Sequence, residues 1–402
     1  MKINRKNAQG YFSLILILFW VIYGLMFGFA SVYLQALGYS NSRIGATLGF
    51  AYLLSTFLQP MIASAFDRSG KSLRTCLAFC YGLLTLLSAA LLLPHRLGAV
   101  VPVNIVVVFA LQSALQPSIN ALVQTFELAG LPVNFGAARG IGSLAYGAVT
   151  AAVGIALERI SPLLLPAWYL AIMLVMILLL AVPRMSDGAR ALRRSIDRST
   201  PGAACYTRPC FVLFLIASTC FSLNAVVNGS FMLQIMQQIG GGSSELGLAV
   251  SIPAVLEFPA MLLYSRFTRR FGEDRLLILS GWAWFVKNGM ILLARSPEAI
   301  YAAQLLQFVS YAFFIPGVVR YIDKVLPPEA FLKGQSLYGS AYTAGSVIAV
   351  FSGGLLLDAM GVTGTLAVAQ CFSFLGAILL TVSVYKSQSK STSPAAASTQ
   401  NT

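Results

Sequence analysis

"SAFDRSGKSLR", Ser64–Arg74, and "SRFTRRFGEDR", Ser265–Arg275, close two long apolar runs in the same way. Each carries adjacent charges, then x-Gly, then more charge, so that Asp67-Arg68-x-Gly70 lines up with Arg269-Arg270-x-Gly272. Punctuation written once per half indicates a duplicated unit. A second pair supports it: "GIGSLAYGA" (Gly140–Ala148) and "YGSAYTAGS" (Tyr338–Ser346) are both small-residue faces. Small residues at such spacing let helix backbones approach closely. Parallel repeats with a site between them at mid-depth are one way of building a transporter.

The runs themselves need lipid. Hydrophobic residues make up 57% of the chain and charged residues 10%, against roughly 25% charged in soluble domains. A chain of 402 residues cannot cover a water-facing surface with so few charges. A spanning helix takes roughly 20 mostly apolar residues. Twelve segments qualify, near 11–34, 44–66, 74–93, 100–126, 136–157, 162–183, 209–238, 246–265, 275–294, 297–319, 334–357 and 362–385. The expected fold is therefore an all-α, multi-pass membrane protein of two six-helix halves, 1–183 and 209–385. Residues 184–208, with six Arg and a Pro-Gly, read as a linker, and 386–402 as a disordered tail.

The net charge of +14 could suggest nucleic acid, but its placement follows topology. With the N-terminus in the cytoplasm, 22 of the 27 Lys and Arg fall in the N-terminal arm, the even-to-odd loops and the tail. That is the positive-inside pattern, and it predicts both termini on the cytoplasmic side of the cell membrane. The basic start is followed by an apolar run too long for a signal peptide and reads as an uncleaved first helix. Six cysteines without a CxxC pair read as small apolar residues rather than disulfides or metal ligands. Phosphate-cradling glycine loops, HExxH and nucleophile elbows are missing, which argues against an enzyme and against ATP-driven pumping. Energy would have to come from an ion gradient, with no cofactor.

Two ionisable residues lie deep inside apolar segments of the second half. Glu257, in "AVSIPAVLEFPAMLLYS", stands nine residues before Arg266, and Lys287 twelve after Arg275. At 1.5 Å per residue they sit roughly 13 and 18 Å in from the same end, a gap a lysine stem can bridge. Burial is costly for each, so a pairing is expected, either as a proton-coupling device or as a static clamp between segments eight and nine. Pro253 and Pro259 flank Glu257 and favour the first, because each can free carbonyls and kink the helix. Aromatics of segment one (Phe19, Trp20, Tyr23, Phe27) could stack a ring.

"AFDRSGKSLR" resembles the loop motif G-x-x-x-D-R-x-G-R-R of the major facilitator superfamily. Asp67, Arg68, Gly70 and Lys71 match, while Ala63 replaces the leading glycine. The resemblance implies a cytoplasmic latch at these residues that breaks when the carrier opens inward. "VNFGAARGIGS" (Val133–Ser143), "LEFPAM" and "GGLLLDAMG" (Gly353–Gly361) resemble the branch of lactose permease and of the 3-phenylpropionate and nucleoside proton symporters. For that branch the resemblance implies a monomer that moves a small organic solute with protons by alternating access.

It further implies Glu257 and Lys287 as the proton-coupling pair and Arg139 as a contact to an anion or hydroxyl. Asn120, Asn224, Asn228, Gln307, Ser310 and Tyr311 fall on segments four, seven and ten, which line the cavity in that fold. Departures are as informative: segment ten has Gln307 in place of the branch's histidine and Ser310 near its carboxylate, and the sole histidine, His95, is in a loop. The solute could be an aromatic acid, a nucleoside or a sugar. An exporter of drugs or sugars, or a sensor that binds without transporting, would carry the same signs.

Overall fold

The repeated glycines do the same work in both halves. Gly70 (φ +62) and Gly272 (φ +83) each end a 29-residue helix, Asn41–Ser69 and Ser243–Phe271, in a backbone conformation that side chains avoid. This computed structural model describes residues 3, 5, 7–92, 100–131, 133–181, 205–327 and 330–391, without the side chains of 67, 124, 128, 332 and 389–391. His95, the Asp67 side chain and all but residues 205–208 of the expected linker lie outside that description.

Every regular element among the described residues is a helix. Ten stretches are long and apolar enough to cross a membrane. The last of these is two segments run together, because Phe331–Ser391 is divided at Gly361 (φ 69, ψ −176). Segment five, Phe135–Ala156, is a full 22-residue helix that is not among the ten. Its glycines, alanines and Arg139 dilute its hydropathy, and the same small residues let it pack closely. The final helix runs on to Ser391, past the point where the expected tail begins.

Several segments are broken. Segment one is Ala8–Phe27 and Ala30–Ala36; segment seven is Pro209–Ser230 and Met232–Gln238. Segment four is Val101–Ala114 and Gln116–Leu128. Segment ten is Pro297–Leu305, a short 3-10 turn at Leu306–Phe308, and Tyr311–Val325. Non-helical backbone at such depth is tolerated where it is buried in protein or lines a cavity.

The two halves meet along segments two and eleven, and along five and eight. At each crossing glycine faces glycine. A Cβ on Gly354 would meet the Asn41 carbonyl oxygen at 2.5 Å, and one on Gly154 would meet that of Ser243 at 2.5 Å. Gly45 and Gly247 are the facing residues, so no side chain separates the backbones. Both crossings lie at the end of the bundle away from the basic loops, here the far end.

Hydrogen bonds also join the halves at the far end. Gln35 and Gln237 exchange amide bonds of 3.1 and 3.0 Å, Ser31 donates to the Ser230 carbonyl, and Gln234 donates to Asn41 at 3.2 Å. Asp358 accepts from Asn41 Nδ2 at 2.9 Å, from the Ser42 N–H at 2.8 Å and from the Ser42 hydroxyl. It stands near the C-terminal end of its own helix, where the peptide dipoles disfavour a carboxylate, and at the N-terminus of segment two, where they favour one. The molecule is thus latched at the far end.

Losing these exposed bonds should cost about 1–2 kcal/mol, a five- to thirtyfold shift toward far-end opening. Asp358→Ala in a Gln35→Cys/Gln237→Cys background is expected to lower disulfide cross-linking accordingly. Cross-linking equal to that of the parent pair would show that the glycine crossings hold the far end alone.

Candidate solute and proton site

The break in segment ten sets an amide between two charges. Gln307, in the 3-10 turn, receives a hydrogen bond from Lys287 Nζ on its Oε1 (2.6 Å) and donates from Nε2 to Glu257 Oε1 (3.2 Å). An amide suits this place because it offers an acceptor to the ammonium and a donor to the carboxylate at once. Glu257 and Lys287 are therefore joined through Gln307 and not in direct contact, a three-residue relay across segments eight, ten and nine. Sequence reasoning put Gln307 among solute contacts; its bridging depends on the 3-10 turn, which no local sequence signal announces.

Arg139 approaches the same carboxylate from the other half. Its guanidinium lies 3.9 Å from the centre of the Trp20 ring and donates to the Ser143 hydroxyl one turn on. A cation over an indole face is a favourable contact that also fixes the direction of the side chain. Arg139 and Glu257 are brought together where segments five and eight cross, since a Cβ on Gly140 would meet the ring of Phe258, the next residue after each. One anion thus faces two cations, one of which belongs to the opposite half.

The remaining candidates separate. Tyr311 packs edge-on to Trp284 with ring centroids 5.7 Å apart, and Ser310 is buried with a hydroxyl that has no partner. The Asn120 side-chain oxygen is likewise buried and unpartnered. Asn224 and Asn228 belong to a buried ladder: Asn228 Nδ2 donates to Asn224 Oδ1 at 3.0 Å and to Asn288 Oδ1 at 2.7 Å, and Asn288 donates to the Trp284 carbonyl at 2.8 Å. That ladder ties segment seven to segment nine, and Asn288 is a member that sequence reasoning passed over. At the basic end Arg68 folds back on Ser64 Oγ (2.8 and 3.2 Å), and Lys71 is exposed. Neither hydrogen-bonds the other half among the described residues.

Between the halves lies a cavity of about 230 Å³. Segments one, two, five and eleven give it Tyr23, Tyr52, Tyr146 and Tyr342; Phe27 and Ser230 complete its characteristic wall. Tyr23 and Phe27 stack on each other with centroids 4.3 Å apart and planes at 15°. Tyr146 and Tyr342 stand inside the paired motifs "GIGSLAYGA" and "YGSAYTAGS". The repeat that marked those faces as close-packing surfaces also marked these two tyrosines.

Comparison with known proteins agrees with this architecture. A maltose permease of Geobacillus stearothermophilus is 27% identical over 359 residues, covering 86% of this chain and 87% of its own. An uncharacterized transporter of Bacillus subtilis, YwbF, is 25% identical, covering 79% of each. The crystal structure of a mutant of the nucleoside transporter NupG superposes with a TM-score of 0.78 at 14% identity, over 94% of this chain and 99% of that one. The profile of the MFS_1 like family matches residues 6–368. The chain belongs to the MFS_1 like family, and it is a multi-pass secondary transporter of small solutes in the cell membrane, not an enzyme.

Proposed function

We propose that this carrier brings a small organic solute into the cell by proton symport, and that Glu257 carries the proton. The observation behind this is the relay: one carboxylate held through Gln307 to Lys287 of its own half and facing Arg139 across the interface. The Lys287 contact moves with Glu257 as one half turns against the other. The Arg139 contact does not. Protonating Glu257 removes the attraction that crosses segments five and eight, so proton occupancy biases the relation of the halves. A ligand shifts a conformational equilibrium only through such a difference in interaction.

The direction follows from topology. The distribution of Lys and Arg supports twelve spans with cytoplasmic termini, which makes the basic end cytoplasmic and the latched far end external. On that orientation this form is closed outward. Asp67, Arg68, Gly70 and Lys71 would form the inner latch in the opposite state, where Arg68 leaves Ser64 for a partner. Relatedness to a maltose permease supports a sugar-like solute.

Glu257→Gln keeps the shape and a hydrogen-bond acceptor toward Gln307 but no ionisable group. In proteoliposomes holding a pH-reporting dye, the variant should lose solute-driven proton entry and uphill uptake while retaining solute exchange between the two sides. Uphill uptake at the parental rate would remove Glu257 from coupling. Solute leaving against an inward proton gradient would instead identify an exporter.

Gln307→Leu separates Lys287 from Glu257 without adding charge. Proton-coupled uptake is expected to fall about tenfold or more, because two buried charge-assisted bonds are lost. Exchange should persist. If Gln307→Leu took up solute like the parent, the amide would be a passive spacer.

A further inference from the structure

We infer that the central cavity takes a neutral, hydroxyl-rich ring, the chemistry shared by sugars and nucleosides, and not an organic acid. This rests on the reading above that the cavity is the solute site. The residues lining it include no Asp, Glu, Lys, Arg or His. Its polar groups are phenol hydroxyls, the Ser230 hydroxyl and the main chain at the broken ends of segments one and seven, Gly28 and Gly229. Tyr52, Tyr146 and Tyr342 have no hydrogen-bond partner for their hydroxyls among the described residues, so three groups that both donate and accept face the cavity free.

Neither Arg139 nor Lys287 lines the cavity, and each is held elsewhere. Arg139 lies on the Trp20 face and on Ser143, and Lys287 donates to Gln307. A solute carboxylate in the cavity would leave water for a wall of phenols and apolar side chains with no cation to meet it, which is costly. A hydroxylated ring loses little there. Its hydroxyls find the phenols, and its apolar face or base can lie against the stacked Tyr23–Phe27 pair.

Tyr146 links the two sites, since it lines the cavity and lies edge-on to Trp20, the ring that carries Arg139. Solute and proton therefore occupy neighbouring but separate places. The acid needed for coupling is supplied by the protein, so the solute need not bring one.

The test is equilibrium binding of maltose, uridine and 3-phenylpropionate to the purified full-length carrier, with proton entry measured in proteoliposomes in parallel. Maltose or uridine should bind, and which of the two does so separates a sugar from a nucleoside. Tyr146→Phe and Tyr342→Phe should each weaken that binding about fivefold, the worth of one net hydrogen bond. Phenylalanine keeps the ring, and a melting temperature within the parental range confirms folding.

The inference is overturned if neither neutral solute binds, if 3-phenylpropionate binds more tightly than both, or if both Tyr→Phe variants bind like the parent. Failure of the symport reading looks different. Maltose or uridine would bind in a tyrosine-dependent way while no proton entered. Conversely, 3-phenylpropionate driving proton entry through Glu257 would keep symport and remove the neutral-solute site.

Discussion

Lipid solvates the outer faces of this bundle as well as apolar side chains solvate each other inside it, so burial alone cannot hold one half against the other. What holds them here is the approach of bare backbone. Gly45 against Gly354 and Gly154 against Gly247 remove the side chains that would keep segments two and eleven, and five and eight, apart. The far-end hydrogen bonds of Asp358, Gln35 and Gln237 are possible only because those crossings bring the helix ends together. The rest of the arrangement, including the cavity beneath and the facing of Arg139 toward Glu257, depends on that contact. It is a contact that can be given up. Backbone crossings and a few exposed polar bonds release without dismantling the core of either half, which a continuous apolar interface would not permit.

Much of the fold was legible because lipid leaves so few ways to write it. Long apolar runs, loop charges and one repeated loop motif located the segments and divided the chain in two. Segment five shows the limit of hydropathy: the glycines and alanines that make Phe135–Ala156 a packing helix also make it a weak apolar run. The apolar run at 136–157 was still long enough to be read as a span in the sequence, and the small-residue repeat gave it its packing face. The interior of the site was less legible. Glu257 and Lys287 announced themselves by their cost, but Gln307 carries no charge and its bridging role needs the backbone break at Leu306–Phe308. Asn224 and Asn228 lie on a segment where an amide serves equally as a solute contact or as a bond between helices, and here Asn228 donates to both Asn224 and Asn288. Which way a helix faces is set by its neighbours, and a single amide does not record it.

Separating the charged relay from the uncharged cavity has a physical consequence for coupling. If the solute contacted Glu257 directly, its affinity and the proton's would be tied by one hydrogen bond, and each would displace or require the other at a single atom. In the symport proposed for this carrier the link is conformational instead. There the proton would act on the attraction between Glu257 and Arg139 and the solute on the tyrosines that four segments contribute to the cavity, both biasing the same relation of the two halves. Coupling between such sites is reciprocal and limited by how differently each ligand interacts with the two arrangements. A wall of phenols tolerates many hydroxylated rings at modest affinity, while the carboxylate and its two cations stay the same for all of them. On that reading a substitution among the tyrosines changes which ring is held and leaves the Glu257–Gln307–Lys287 relay as it is, because no residue of the relay lines the cavity.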